Sequence, residues 1–175
     1  METGYKAASL LSKIVLGLII IAFILDMIGF YTTNWSTIEY IDPFRITERL
    51  RVEEYIGLWK HCIVTRYMAK CSNFKNYGSW FEATQAFETL GFIAAIVALV
   101  LIVLYIFVPQ TSGKRIVFIL GMVACFAAAG CIILGIIIYG SKVETNLSWS
   151  FALCTIAGII FGVSGILLIV DMLKR

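Results

Sequence analysis

The sequence predicts an all-α membrane protein of four helices with a small antiparallel β extension, and three observations predict it. Hydrophobic residues make up 61% of the 175 and charged residues 14%, where a soluble domain carries about 45–50% and about 25%. Four stretches are apolar and long enough to cross a bilayer. Between the first and second lies a long segment, residues 32–82, in which charges mix with β-branched and aromatic residues around two cysteines. So few charges cannot cover the surface of a water-soluble domain. That excludes a soluble enzyme, a disordered tail and a disulfide-dense secreted miniprotein. The length suits one structural unit rather than two domains.

A bilayer asks for about 20 apolar residues per helix at about 1.5 Å rise each. The first span covers residues 10–31 and is interrupted within its apolar run only by Asp26. The second covers 83–108, where uncharged Leu90–Val108 follows an amphipathic lead-in. The third covers 116–140 and the fourth 147–172, with Ile116–Gly140 and Leu147–Val170 free of charge. In hydrocarbon each stretch has to satisfy its own backbone. Helix is therefore the reading despite abundant Ile and Val, and no barrel-type alternation is present.

Orientation follows from the placement of cations, since the net charge of +3 is small. Lys6, Lys13, Lys114, Arg115, Lys174 and Arg175 fall on one side, whereas the short loop 141–146 offers only Lys142. Both termini are expected in the cytoplasm, with 1–9, 109–115 and 173–175 inside and 32–82 and 141–146 outside. The seven basic and six acidic residues of 32–82 do not alter this, because long loops cross largely regardless of charge. The N-terminal stretch lacks a small-residue cleavage site and reads as an uncleaved signal anchor. A multi-pass plasma-membrane protein is expected. Pro109 followed by Ser112-Gly113 marks a bare cytoplasmic turn.

Cys62 and Cys71 lie in the outer segment, and Cys125, Cys131 and Cys154 inside spans. An oxidising outer compartment makes a Cys62–Cys71 disulfide the expectation, contributing about 3 kcal/mol by chain entropy. Metal binding there is the rival, weakened because His61 is the chain's one histidine. The span cysteines read as small apolar fillers. Strands are expected at Trp35–Ile41, Arg49–Ile56 and Cys62–Val64, with Tyr67–Cys71 returning as a hairpin pinned by the disulfide. Asp42-Pro43 is a turn signal between the first two.

Trp35, then Gly57-Leu58-Trp59, then Cys62 and Cys71, all between spans one and two, resemble the W…GLW…C…C signature of the claudin superfamily. That superfamily includes claudins, peripheral myelin protein, epithelial membrane proteins and the lens fibre membrane protein. Weaker matches are Ala83-Thr84-Gln85-Ala86-Phe87 and Trp149-Ser150-Phe151. The resemblance implies a left-handed four-helix transmembrane bundle bearing an extracellular β-sheet, with the Gly57-Leu58-Trp59 turn against its outer mouth. Plain interfacial anchoring of Trp35 and Trp59 would serve the same end, stability rather than chemistry. In three respects the chain departs from vertebrate claudins. It ends at Arg175 without a scaffold-binding motif, its second outer loop is short, and Glu88 stands where many claudins carry Arg.

Asp26 and Glu88 are two acids near the same face, with no Lys or Arg inside the apolar cores of the spans. They read either as a cation-attracting site or, preferably, as carboxyls that bond to loop donors or stay protonated. Gly158 and Gly162 stand four apart and read as helix-packing positions, within the bundle rather than between copies. Phe74 is the candidate for lateral docking into a neighbour that the resemblance implies, and packing on its own sheet is the equal alternative. Asn34 and Asn146 fit the glycosylation acceptor pattern but lie so close to spans that neither is expected to be heavily occupied.

No nucleophile sits beside a base and no CxxC is present, so no enzyme and no cofactor are expected. No broken helix marks a transporter. The expected function is a claudin-like structural role in cell–cell contact, junction or paracellular barrier formation, by lateral and intercellular assembly. Expected partners are membrane lipid and copies of itself or other claudin-like proteins, not nucleic acid. The alternatives are an auxiliary subunit of a channel or receptor and an organiser of stacked membranes.

Overall fold

A computed structural model describes residues 9–41, 51–73, 78–108, 110, 114–144 and 146–174. Asp42-Pro43, Pro109, Ser112-Gly113 and Phe74, with the turns and the lateral contact expected of them, lie outside those residues.

Among the described residues four helices are long and apolar enough to cross a membrane: α1 (Leu10–Tyr31), α2 (Ser79–Phe107), α3 (Arg115–Lys142) and α4 (Trp149–Leu173). At about 1.5 Å per residue the shortest is about 33 Å, enough for a hydrocarbon core of about 30 Å. Both ends of α2, α3 and α4 differ from expectation by one to four residues, and two of the shifts have a local cause. α2 begins at Ser79 rather than 83, because its amphipathic first turn is already helical and buries Phe81. α4 begins at Trp149 rather than 147, because Asn146 and Leu147 form a strand instead.

The helices bury narrow stripes and leave the rest apolar and exposed, as expected where lipid replaces water. The stripes are rich in small residues: Ala95 and Ala98 on α2, Ala124 and Ala128 on α3, Ala157 and Gly158 on α4. Small side chains let backbones approach where no hydrophobic drive separates helix from lipid. A Cβ at Gly158 would lie 3.1 Å from Ile132 of α3, and one at Gly162 would lie 3.8 Å from Ala129. Both glycines thus face α3 within the bundle.

Among the described residues the β extension is one five-stranded antiparallel sheet. Its strands are β1 (Ser36–Ile41), β2 (Arg51–Ile56), β3 (Lys60–Thr65), β4 (Ala69–Asn73) and β5 (Asn146–Leu147), in the order β4-β3-β2-β1-β5. The segment between α1 and α2 supplies four strands. The short loop between α3 and α4 adds the fifth by pairing Leu147 with Ser36 and Asn146 with Thr37. Period-2 alternation puts Ser36, Val52 and Ile56 on the buried side.

Candidate functional site

The sheet meets the bundle where α1 ends, and Trp35 makes the joint. Its side chain is fully buried. The indole Nε1 donates to the carbonyl of Gly29 on α1 at 2.8 Å. The ring packs edge-on against Tyr139 of α3 and Phe151 of α4, with centroids 5.0 and 5.8 Å away. Its backbone N–H donates to Ile56 of β2 at 2.8 Å, and its carbonyl accepts from Ser148 at 2.9 Å. With Asn34, whose carbonyl accepts from Ser150, this corner satisfies donors at the start of α4 that a helix leaves unpaired. A residue bonded to α1 and packed on α3 and α4 is a buried keystone of the joint.

Gly57-Leu58-Trp59 forms the turn between β2 and β3, closed by a Gly57 N–H bond to the Lys60 carbonyl at 3.0 Å. A Cβ on Gly57 would stand 2.6 Å from Thr33 Cα and 2.7 Å from the Thr32 carbonyl oxygen. Only glycine lets this turn lie against the end of α1. Leu58 is fully buried, and its carbonyl accepts from Gln85 of α2 at 2.6 Å. Trp59 stays 38% exposed at the rim, its ring 5.2 Å from Phe30, as an amphipathic anchor should. Beside it opens a groove of about 520 Å³ lined by Phe30, Tyr31, Thr32, Trp59, Lys60 and Thr89 among others.

Cys62 and Cys71 are direct partners across β3 and β4 and are joined as a disulfide. The hairpin closes through Thr65, whose N–H donates to the Met68 carbonyl at 2.8 Å. At its tip Tyr67 and Met68 are 65% and 63% exposed. β4 is exposed throughout and forms an edge of the sheet. On the adjoining strands Glu39 stands opposite Glu53. The Tyr55 hydroxyl donates to Glu53 at 2.6 Å. That bond first, and then the negative charge of Glu53, hold the Tyr55 phenol above the usual tyrosine range.

The remaining sequence candidates divide. The Asn34 acceptor pattern ends on Ser36, whose hydroxyl is buried and shares a 2.9 Å bond with the Tyr139 hydroxyl. Asn146 is exposed on β5. Asp26 and Glu88 come together in the core with Cys154 of α4, their donor atoms all within 4.8 Å of one another. Among the described residues no hydrogen bond reaches either carboxyl. Both side chains are buried, and no donor from the described part of the loops reaches them. Cys154 is buried in the apolar core and lies beside the two acids.

Sequence reasoning missed a clasp at the far end of the bundle. Ser9 and Ser12 donate to the two carboxylate oxygens of Asp171 at 2.7 and 2.6 Å, tying the start of α1 to the end of α4. A Ser-x-x-Ser start is visible as a helix cap, but nothing local points 159 residues ahead.

The model of the PMP-22/EMP/MP20/Claudin family covers residues 6–169. No curated protein matches the chain.

Proposed function

We propose a role in cell–cell contact for this chain, which belongs to the PMP-22/EMP/MP20/Claudin family and is a claudin-like, multi-pass membrane protein. The family is one of structural membrane proteins. The proposed activity is lateral and intercellular assembly at the plasma membrane, forming junctions or a paracellular barrier. The sheet faces outside and both termini face the cytoplasm. The orientation rests on Lys13, Lys114, Arg115 and Lys174, which all lie at the end away from the sheet, against Lys142 at the sheet end.

One observation carries the reading. The chain fixes a disulfide-clamped sheet rigidly to its helices through Trp35 and Leu58, while leaving β4 as an exposed edge and Tyr67 and Met68 as an apolar tip. An exposed edge strand offers backbone donors and acceptors to another chain, and large exposed side chains at a tip mark a contact surface.

The experiment mixes expressing and non-expressing cells that lack junctions. Enrichment at borders between two expressing cells, and not at mixed borders, is the expected result. Uniform surface distribution with co-purification of one channel or receptor would replace this reading with an auxiliary-subunit role.

A further inference from the structure

The buried trio of Asp26, Glu88 and Cys154 asks for an occupant. Asp26 is 1% exposed and Glu88 fully buried, and all four of their carboxylate oxygens lack a hydrogen-bond partner among the described residues. An ionised group taken out of water without a partner costs several kcal/mol, a penalty that a bound cation would offset. The three donors come from three different helices, and the surrounding glycines make room for them. A Cβ at Gly135 of α3 would stand 2.6 Å from Glu88 Oε1, and one at Gly29 of α1 would collide with Cys154 Sγ. Among the described residues this is the one group of three such side chains gathered closely enough to hold an ion.

We propose that Asp26, Glu88 and Cys154 bind a divalent cation of borderline softness, zinc above all, which ties α1, α2 and α4 together beneath the sheet. The donor set selects the class. A thiolate argues against calcium and magnesium, which take oxygen ligands and, for calcium, six to eight of them. Two carboxylates argue against copper(I), which favours sulfur. Zinc accepts carboxylate oxygen and thiolate sulfur at about 2.0–2.3 Å, and tetrahedral ligands at those lengths lie about 3.5 Å apart. Closing a trio already within 4.8 Å takes about 1 Å of side-chain movement. On binding, the Cys154 thiol and any carboxyl that carries a proton release it to solvent, and the freed sulfur and oxygens ligate the metal. The cation then offsets two of the three ligand charges, and three protein donors leave a fourth position for water.

The test uses the full chain in lipid nanodiscs, purified without a histidine tag, carrying His61→Ala to remove the surface imidazole, and stripped with chelator. Elemental analysis after zinc loading and desalting should find one zinc per chain. Cobalt(II) should give a thiolate-to-metal charge-transfer band. That band should persist in Cys125→Ala/Cys131→Ala, where Cys154 is the sole free thiol, and vanish in Cys154→Ser. Asp26→Asn and Glu88→Gln should each weaken zinc binding at least about 10-fold. Sub-stoichiometric zinc in the parent protein, or a band that survives Cys154→Ser, overturns the site. If Cys154→Ser does not fold, the Cys125→Ala/Cys131→Ala protein decides, and absence of the band there overturns it too.

Discussion

The indole of Trp35 turns back across the end of α1 to donate to the carbonyl of Gly29, six residues earlier, at 2.8 Å. That bond satisfies one of the carbonyls a helix leaves open at its C-terminus, and it fixes the angle at which the chain leaves the bundle for β1. The same ring fills the space between Tyr139 and Phe151. Everything the sheet does depends on this joint.

Trp35→Phe keeps an aromatic ring and removes the donor, so it should cost about 1–2 kcal/mol, the loss of a buried hydrogen bond. Trp35→Ala also opens a cavity and should cost about 3–5 kcal/mol. Thermal unfolding of purified protein in nanodiscs, followed by loss of the monodisperse peak, should rank wild type above Phe above Ala.

Gly57→Ala should be severely destabilising, because the added methyl meets backbone atoms of Thr32 and Thr33 that cannot step aside. Gly17 is the control, since a Cβ there meets nothing within 4 Å. Surface biotinylation should show Gly57→Ala retained inside the cell and Gly17→Ala delivered like wild type.

At the opposite end, Asp171→Asn weakens two charge-assisted bonds from Ser9 and Ser12. The expected cost is about 1.5–3 kcal/mol, and Ser12→Ala should reproduce part of it. Combined, the two changes should be less than additive, because they break the same link. A double-mutant cycle on thermal stability measures this.

Cys62→Ser/Cys71→Ser should cost about 3 kcal/mol and loosen β3 from β4 without disturbing the four helices. Limited proteolysis should cleave the double variant near the hairpin tip while helix content by circular dichroism stays unchanged.

Much of this fold was legible before the structure. Hydrocarbon demands long uncharged runs, so four spans stood out, and Cys62 and Cys71 lie at a spacing that suits a hairpin. What the chain brings together across distance was not legible. Trp35 reads locally as an amphipathic residue beside a span, and only the convergence of Gly29, Tyr139 and Phe151 around it makes it a keystone. The two residues of β5 are too few to carry an alternation pattern. Asp26, Glu88 and Cys154 could be noted one by one, but their meeting depends on how three helices rotate against one another. Helix rotation is set by small-residue stripes whose partners the linear sequence does not name.

The central claim is that the clamped sheet is the working surface, and its exposed tip allows a test that leaves the fold alone. Tyr67→Ser/Met68→Ser alters two side chains that are largely in solvent and takes nothing from the core. In mixed cultures this variant should reach the surface at wild-type levels and lose most of its enrichment at borders between expressing cells. Enrichment equal to wild type would contradict the account.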